Sequence, residues 1–122
     1  MEIKGYRDLR VWQAAMDLAV EIHQLTLRFP DSERFGLVTT LRRLAGEIPS
    51  NIAMGHTLEA TRDYLWNIDR AQGHLAGLQT QLELAGRYGY PTQEQLDKTL
   101  DRAIVLAKQL FALRNALRQR GD

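Results

Sequence analysis

Apolar residues recur along this chain at spacings of three and four, the period of an α-helix, and nowhere alternate as a half-buried strand would. Proline and glycine divide the pattern into four segments. In the first, which Asp8 can cap, two apolar stripes run side by side. One is Leu9, Trp12, Met16 and Ala19; the other is Val11, Ala15, Leu18, Ile22, Leu25 and Phe29, with heptad spacing over most of its length. Together they form an arc wider than one core face requires. The surplus predicts that Val11, Ala15, Leu18, Ile22 and Leu25 meet a second copy of the chain. Pro30 ends the segment, because the residue before a proline is pushed out of the helical region.

The second segment begins near Asp31 or Ser32, whose side chains can accept from first-turn amides, and runs through Leu37, Leu41, Leu44, Ala45, Ile48 and Ile52. Pro49 falls inside it. Its ring clashes with the Ala45 carbonyl and its missing N–H leaves that carbonyl unpaired, which predicts a kink. Gly46 makes room for the bend, and Ser50 or Asn51 can supply the replacement donor. Gly55 and the polar run from His56 to Thr61 read as the connection to a third helix. That helix carries Tyr64, Ile68, Ala71, Leu75, Leu78, Leu82, Ala85 and Tyr88, with Gly89 as a left-handed cap. Thr92 and Gln95 have capping-box spacing at the head of the fourth, which carries Leu96, Leu100, Ala103, Ile104, Ala107, Leu110, Phe111 and Leu117. Long helices joined by short loops predict one all-α domain over 1–122, an up-down-up-down four-helix bundle with a proline-kinked second helix.

Composition narrows the functions open to such a bundle. With 122 residues and 44% of them hydrophobic, the chain can build a core unaided. It has no cysteine, which removes disulfides, zinc-thiolate sites and cysteine nucleophiles together. No stretch approaches the ~20 apolar residues of a membrane span. The first ten residues carry Glu2, Lys4, Arg7, Asp8 and Arg10 with no apolar run behind them, so a cytoplasmic protein without a membrane partner is expected.

No catalytic chemistry emerges from the spacing. The Glu-x-x-His pairs of di-iron bundles are missing, and Glu21 and His23 point to different helix faces. Ser32 and Ser50 lie in no nucleophile elbow, and Ser50 is better placed to bond a backbone carbonyl. The expectation is a non-enzyme with no metal and no cofactor. Gly86-Arg87-Tyr88-Gly89 has the outline of an RNA-binding Gly-x-x-Gly loop, but without the αβ context it reads as a helix end.

The formal charge of +1 is far from that of a dedicated nucleic-acid binder, yet the charges are unevenly spread. Lys108, Arg114, Arg118 and Arg120 follow one another with no acid until Asp122. Arg43 has Glu47 one turn on as an ion-pair partner, which leaves Arg42 as the freer charge. Arg42, Lys108, Arg114, Arg118 and Arg120 are therefore the candidate nucleic-acid contacts. The competing explanation is that cations at the end of helix four complement its dipole.

Specific strings add to this reading. Leu9-Arg10-Val11-Trp12, Phe29-Pro30, Arg42-Arg43, Ile48-Pro49-Ser50-Asn51-Ile52-Ala53 with Gly55, and Leu78-Gln79-Thr80-Gln81-Leu82 resemble the bacterial four-helix-bundle family of intervening-sequence proteins. Some of its members are encoded inside insertions in large-subunit ribosomal RNA genes. The resemblance covers about residues 6–90. It implies a homopentamer and an association with RNA or DNA, or with a nucleic-acid enzyme such as the reverse transcriptase that related retroelement accessory proteins partner. The chain departs from the family pattern at Met54, His74 and Gly77, and it lacks the strongly basic charge of the retroelement accessories. Two readings stay open: a homo-oligomeric module that binds nucleic acid, and an oligomeric scaffold whose partner is a protein.

Overall fold

The computed structural model describes residues 3–120. Four helices make up nearly all of it: α1 (Arg10–Thr26), α2 (Leu37–Thr57), α3 (Thr61–Tyr88) and α4 (Gln93–Arg120), with 3-10 turns at Tyr6–Asp8 and Asp31–Glu33. Each helix packs on its neighbours in sequence, α1 closes against α4, and the backbones of diagonal helices stay apart. This is the up-down-up-down bundle, and no strand occurs among the described residues. The core is a column of large aliphatic residues from all four helices, including Leu18, Ile22, Ile48, Ile68, Leu82 and Leu110.

The helix ends differ in part from those expected. Asp8 is not the α1 cap; it lies in the first 3-10 turn and accepts the Lys4 N–H at 2.9 Å. Asp31 and Ser32 likewise form a turn ahead of α2. Glu33 closes that start instead, its Oε1 accepting the Leu37 N–H at 3.3 Å. At the far end of α3, Gly89 takes φ 81°, a left-handed conformation that costs a residue without Cβ nothing. Its N–H donates to Gly86 O and the Tyr90 N–H to Ala85 O, both at 3.1 Å, the paired bonds of a Schellman cap. The capping box also forms: Gln95 N–H donates to Thr92 Oγ1 at 3.1 Å while Thr92 N–H donates to Gln95 Oε1 at 3.0 Å.

Gly55 corrects the expected connection between helices two and three. It lies inside α2, which continues to Thr57, and it faces α3. A Cβ there would sit 2.9 Å from both Asn67 Cβ and Tyr64 Cδ1, so glycine is what allows the two backbones to approach. Pro49 leaves the helix uninterrupted from Leu37 to Thr57. The side chains after it serve carbonyls other than the one expected: Ser50 Oγ donates to Gly46 O at 2.9 Å and Asn51 Nδ2 to Glu47 O at 2.8 Å.

The stripe assigned to a second copy is also corrected. Val11, Ala15, Leu18, Ile22 and Leu25 are all buried within the chain's own bundle. They run the whole length of α1 and so can pack on α2 and α4 together. The other stripe is left half outside: Trp12 and Ala19 are half-buried and Met16 is exposed.

Candidate functional site

The five basic candidates have quite different surroundings. Arg42 is half-buried on α2. Its Nε donates to Thr26 Oγ1 at 2.9 Å and its Nη2 to the His23 carbonyl at 3.3 Å. A guanidinium there satisfies acceptors at the C-terminal end of α1, where the helix dipole also favours a cation. Arg43 is the exposed member of the pair, reversing the expectation. Arg114 is committed as well, with Nε paired to Asp69 Oδ1 of α3. Lys108 is exposed midway along α4, ten residues from Arg118 and so about 15 Å from it along the axis. Arg118 and Arg120 are exposed at the end of the bundle, and Arg120 lies close enough to Tyr64 to favour its phenolate.

That end collects charge that the totals conceal. It is built from the chain start, the end of α2, the start of α3 and the end of α4. Lys4, Arg7, Arg10, Arg62, Arg118 and Arg120 gather there against Asp8, Glu59 and Asp63. The opposite end holds Arg28, Arg34, Arg87 and Lys98 against Asp31, Glu33, Glu83, Glu94 and Asp97. Among the described residues, one end of the bundle thus carries an excess of basic side chains and the other is close to balanced.

A feature that the runs of basic residues do not reveal lies on α3. Arg62, Trp66 and Arg70 are spaced i, i+4, i+8 and share one face. Trp66 is 60% exposed, although the Arg70 guanidinium already stacks 4.8 Å from the centroid of its ring. Beside it a shallow cleft between α3 and α4 is lined by Arg62, Leu65, Trp66, Asp69, Leu117 and Arg118. The signal was present in the sequence, as a tryptophan flanked by arginines one turn away on either side. Tyr88, the last residue of α3, and Tyr90, in the loop after it, behave otherwise. Tyr90 packs on Phe29 and donates to Glu33 Oε2 at 2.9 Å, a bond that raises its pKa, while Tyr88 stays exposed.

Two apolar surfaces remain outside the core. Between α1 and α2, Tyr6, Trp12, Met16, Ala19, Pro49 and Ala53 line a groove together with Gly46 and Ser50. On a different side of the bundle, Ile104 and Phe111 stand exposed two turns apart on α4. Among the described residues no group of His, Asp and Glu side chains converges as a metal site would, and no helix is long and apolar enough to cross a membrane.

Comparison with known proteins agrees with the architecture. A solved structure of a protein of unknown function from the S23 ribosomal protein family of Bacteroides thetaiotaomicron is similar in fold, with a TM-score of 0.79. It is 20% identical, and the match covers 86% of this chain and 95% of that one. No curated protein matches the sequence. The model of one family, described as 23S rRNA-intervening sequence protein, matches residues 7–112. Nearly all of the bundle falls within that span, and the chain accordingly belongs to the 23S rRNA-intervening sequence protein family.

Proposed function

We propose that the protein is a self-assembling bundle that binds nucleic acid through its basic end. The segregation of charge along the bundle axis carries this reading. Arg62, Arg118 and Arg120, with Arg7 and Arg10 from the chain start, form a surface able to contact phosphates although the net charge is only +1. A few phosphate contacts on one copy give little affinity at physiological salt. Repetition of the surface on every copy of an assembly raises the overall affinity without new contacts, provided one strand reaches several copies.

Assembly has its own support in the two apolar surfaces. The α1–α2 groove and the Ile104–Phe111 stripe are unlike each other and lie on different sides. Contacts between unlike patches run head to tail and close into a ring when the rotation allows. Five copies are expected, the number that the family resemblance implies.

The test is binding of labelled RNA to the wild type and to an Arg62→Glu/Arg118→Glu variant across a salt series. Wild-type affinity is expected to fall steeply with salt, with a log–log slope of about −0.7 per phosphate on a single strand, and the variant to lose most of its binding. Absence of binding by the wild type at low salt would favour the second reading, a scaffold for a protein partner. The commitment of Arg42 and Arg114 to intramolecular bonds is what recommends that alternative.

A further inference from the structure

We infer that the Arg62–Trp66–Arg70 face of α3 is a stacking subsite for an unpaired base of single-stranded nucleic acid; the inference rests on the nucleic-acid reading above and specifies which form of polymer it concerns. An indole that is 60% exposed is unusual on a surface where the chain's other tryptophan, Trp12, is half-buried in an edge-to-face contact with Tyr6. Arg70 holds it from one side, with its guanidinium 4.8 Å from the ring centroid. A cation in that position orients the indole and leaves ring surface open to a second flat group. A nucleobase is such a group, and every base offers a π-face, so stacking of this kind is tolerant of sequence.

The flanking charges distinguish a nucleotide from an apolar protein segment. Arg62 lies one turn before Trp66, its side chain 89% exposed and only loosely paired to Asp63 at 3.9 Å. Arg118 of α4 lines the same cleft from the other side. Asp69, which also lines the cleft, is paired with Arg114 and does not confront an incoming phosphate unneutralised. A stacked base therefore has cations within reach of the phosphates on both sides of its sugar. A duplex does not satisfy this arrangement, because its bases are stacked on one another and their faces are closed to a side chain.

The experiment uses the full wild-type chain, takes the contribution of Trp66 as the fluorescence lost in Trp66→Phe, and titrates oligouridylate against a blunt-ended duplex of matched charge. The expected result is quenching of Trp66 by the single strand and little by the duplex. Trp66→Ala should weaken oligouridylate binding about 5- to 150-fold, the range that loss of one stacked base produces, while Trp66→Phe keeps most of the affinity. Salt-dependent binding that Trp66→Ala leaves untouched would overturn the subsite and leave the nucleic-acid reading standing. Failure of the wild type to bind any polynucleotide at low salt would remove both. Equal quenching by duplex and single strand would overturn the stacking argument, and a change of molecular mass in Trp66→Ala would make the residue a contact between copies instead.

Discussion

Arg42 and Arg43 are neighbours of identical chemistry, and their roles separate only because α2 turns by about 100° between them. One turns toward the end of α1 and satisfies acceptors there, while the other faces outward. The same sensitivity to surroundings governs Tyr64. Burial pushes its pKa above the ordinary value, partly offset by the Arg120 charge, and its hydroxyl meets His56 Nδ1 at 3.1 Å. Below about pH 10 the phenol is neutral in both folded and unfolded chains and its contribution is intact. As pH rises further, the unfolded chain sheds the proton first, the folded state holds more protons, and stability falls. The wild type should therefore lose stability above about pH 10 faster than Tyr64→Phe does, as read from urea midpoints of both proteins.

At the scale of helices, the α2–α3 seam is set by one small residue. A Cβ on Gly55 would approach Tyr64 O to 3.2 Å as well as the two carbons at 2.9 Å, so the helices must part to admit it. Gly55→Ala should cost about 1–3 kcal/mol by overpacking, despite the better helix propensity of alanine. Gly73 supplies the contrast, since a Cβ there meets nothing within 4 Å. Gly73→Ala should leave stability unchanged or raise it by up to about 1 kcal/mol. Chemical denaturation of the two variants beside the wild type checks both signs. Gly55 is followed by the polar residues His56 and Thr57, which is why it read as part of a linker. Only the proximity of α3 shows that the backbone approach is its purpose.

At the scale of the whole molecule, the groove between α1 and α2 is the surface that the proposed assembly would use. Trp12 and Met16 of α1 line it together with the small residues Ala19, Gly46, Ser50 and Ala53. An arginine among them fills the space that an entering side chain from another copy requires. Light scattering is expected to give about 70 kDa for the wild type, five copies of 14.0 kDa, and a single-copy mass for Ala53→Arg with unchanged helical content. A wild-type mass of 14.0 kDa would end the assembly argument.

Helix number, approximate extent and the caps at Gly89 and Thr92 were legible in the sequence, because each depends on a local period or on side chains within a few residues of the backbone they serve. The assignment of faces was not. Two apolar stripes on α1 look equally fit for the core by spacing, and only the positions of α2 and α4 decide that the Val11–Leu25 stripe is interior and the Trp12–Met16 stripe is left at the surface. The basic residues divide for the same reason. Lys108, Arg114 and Arg118 form one run in sequence, yet Arg114 is neutralised by Asp69, forty-five residues away, and Arg62 joins Arg118 from another helix. Local periodicity is a property of one segment and survives reading it alone; burial, pairing and the sign of a surface are sums over several segments and exist only once the chain has brought them together.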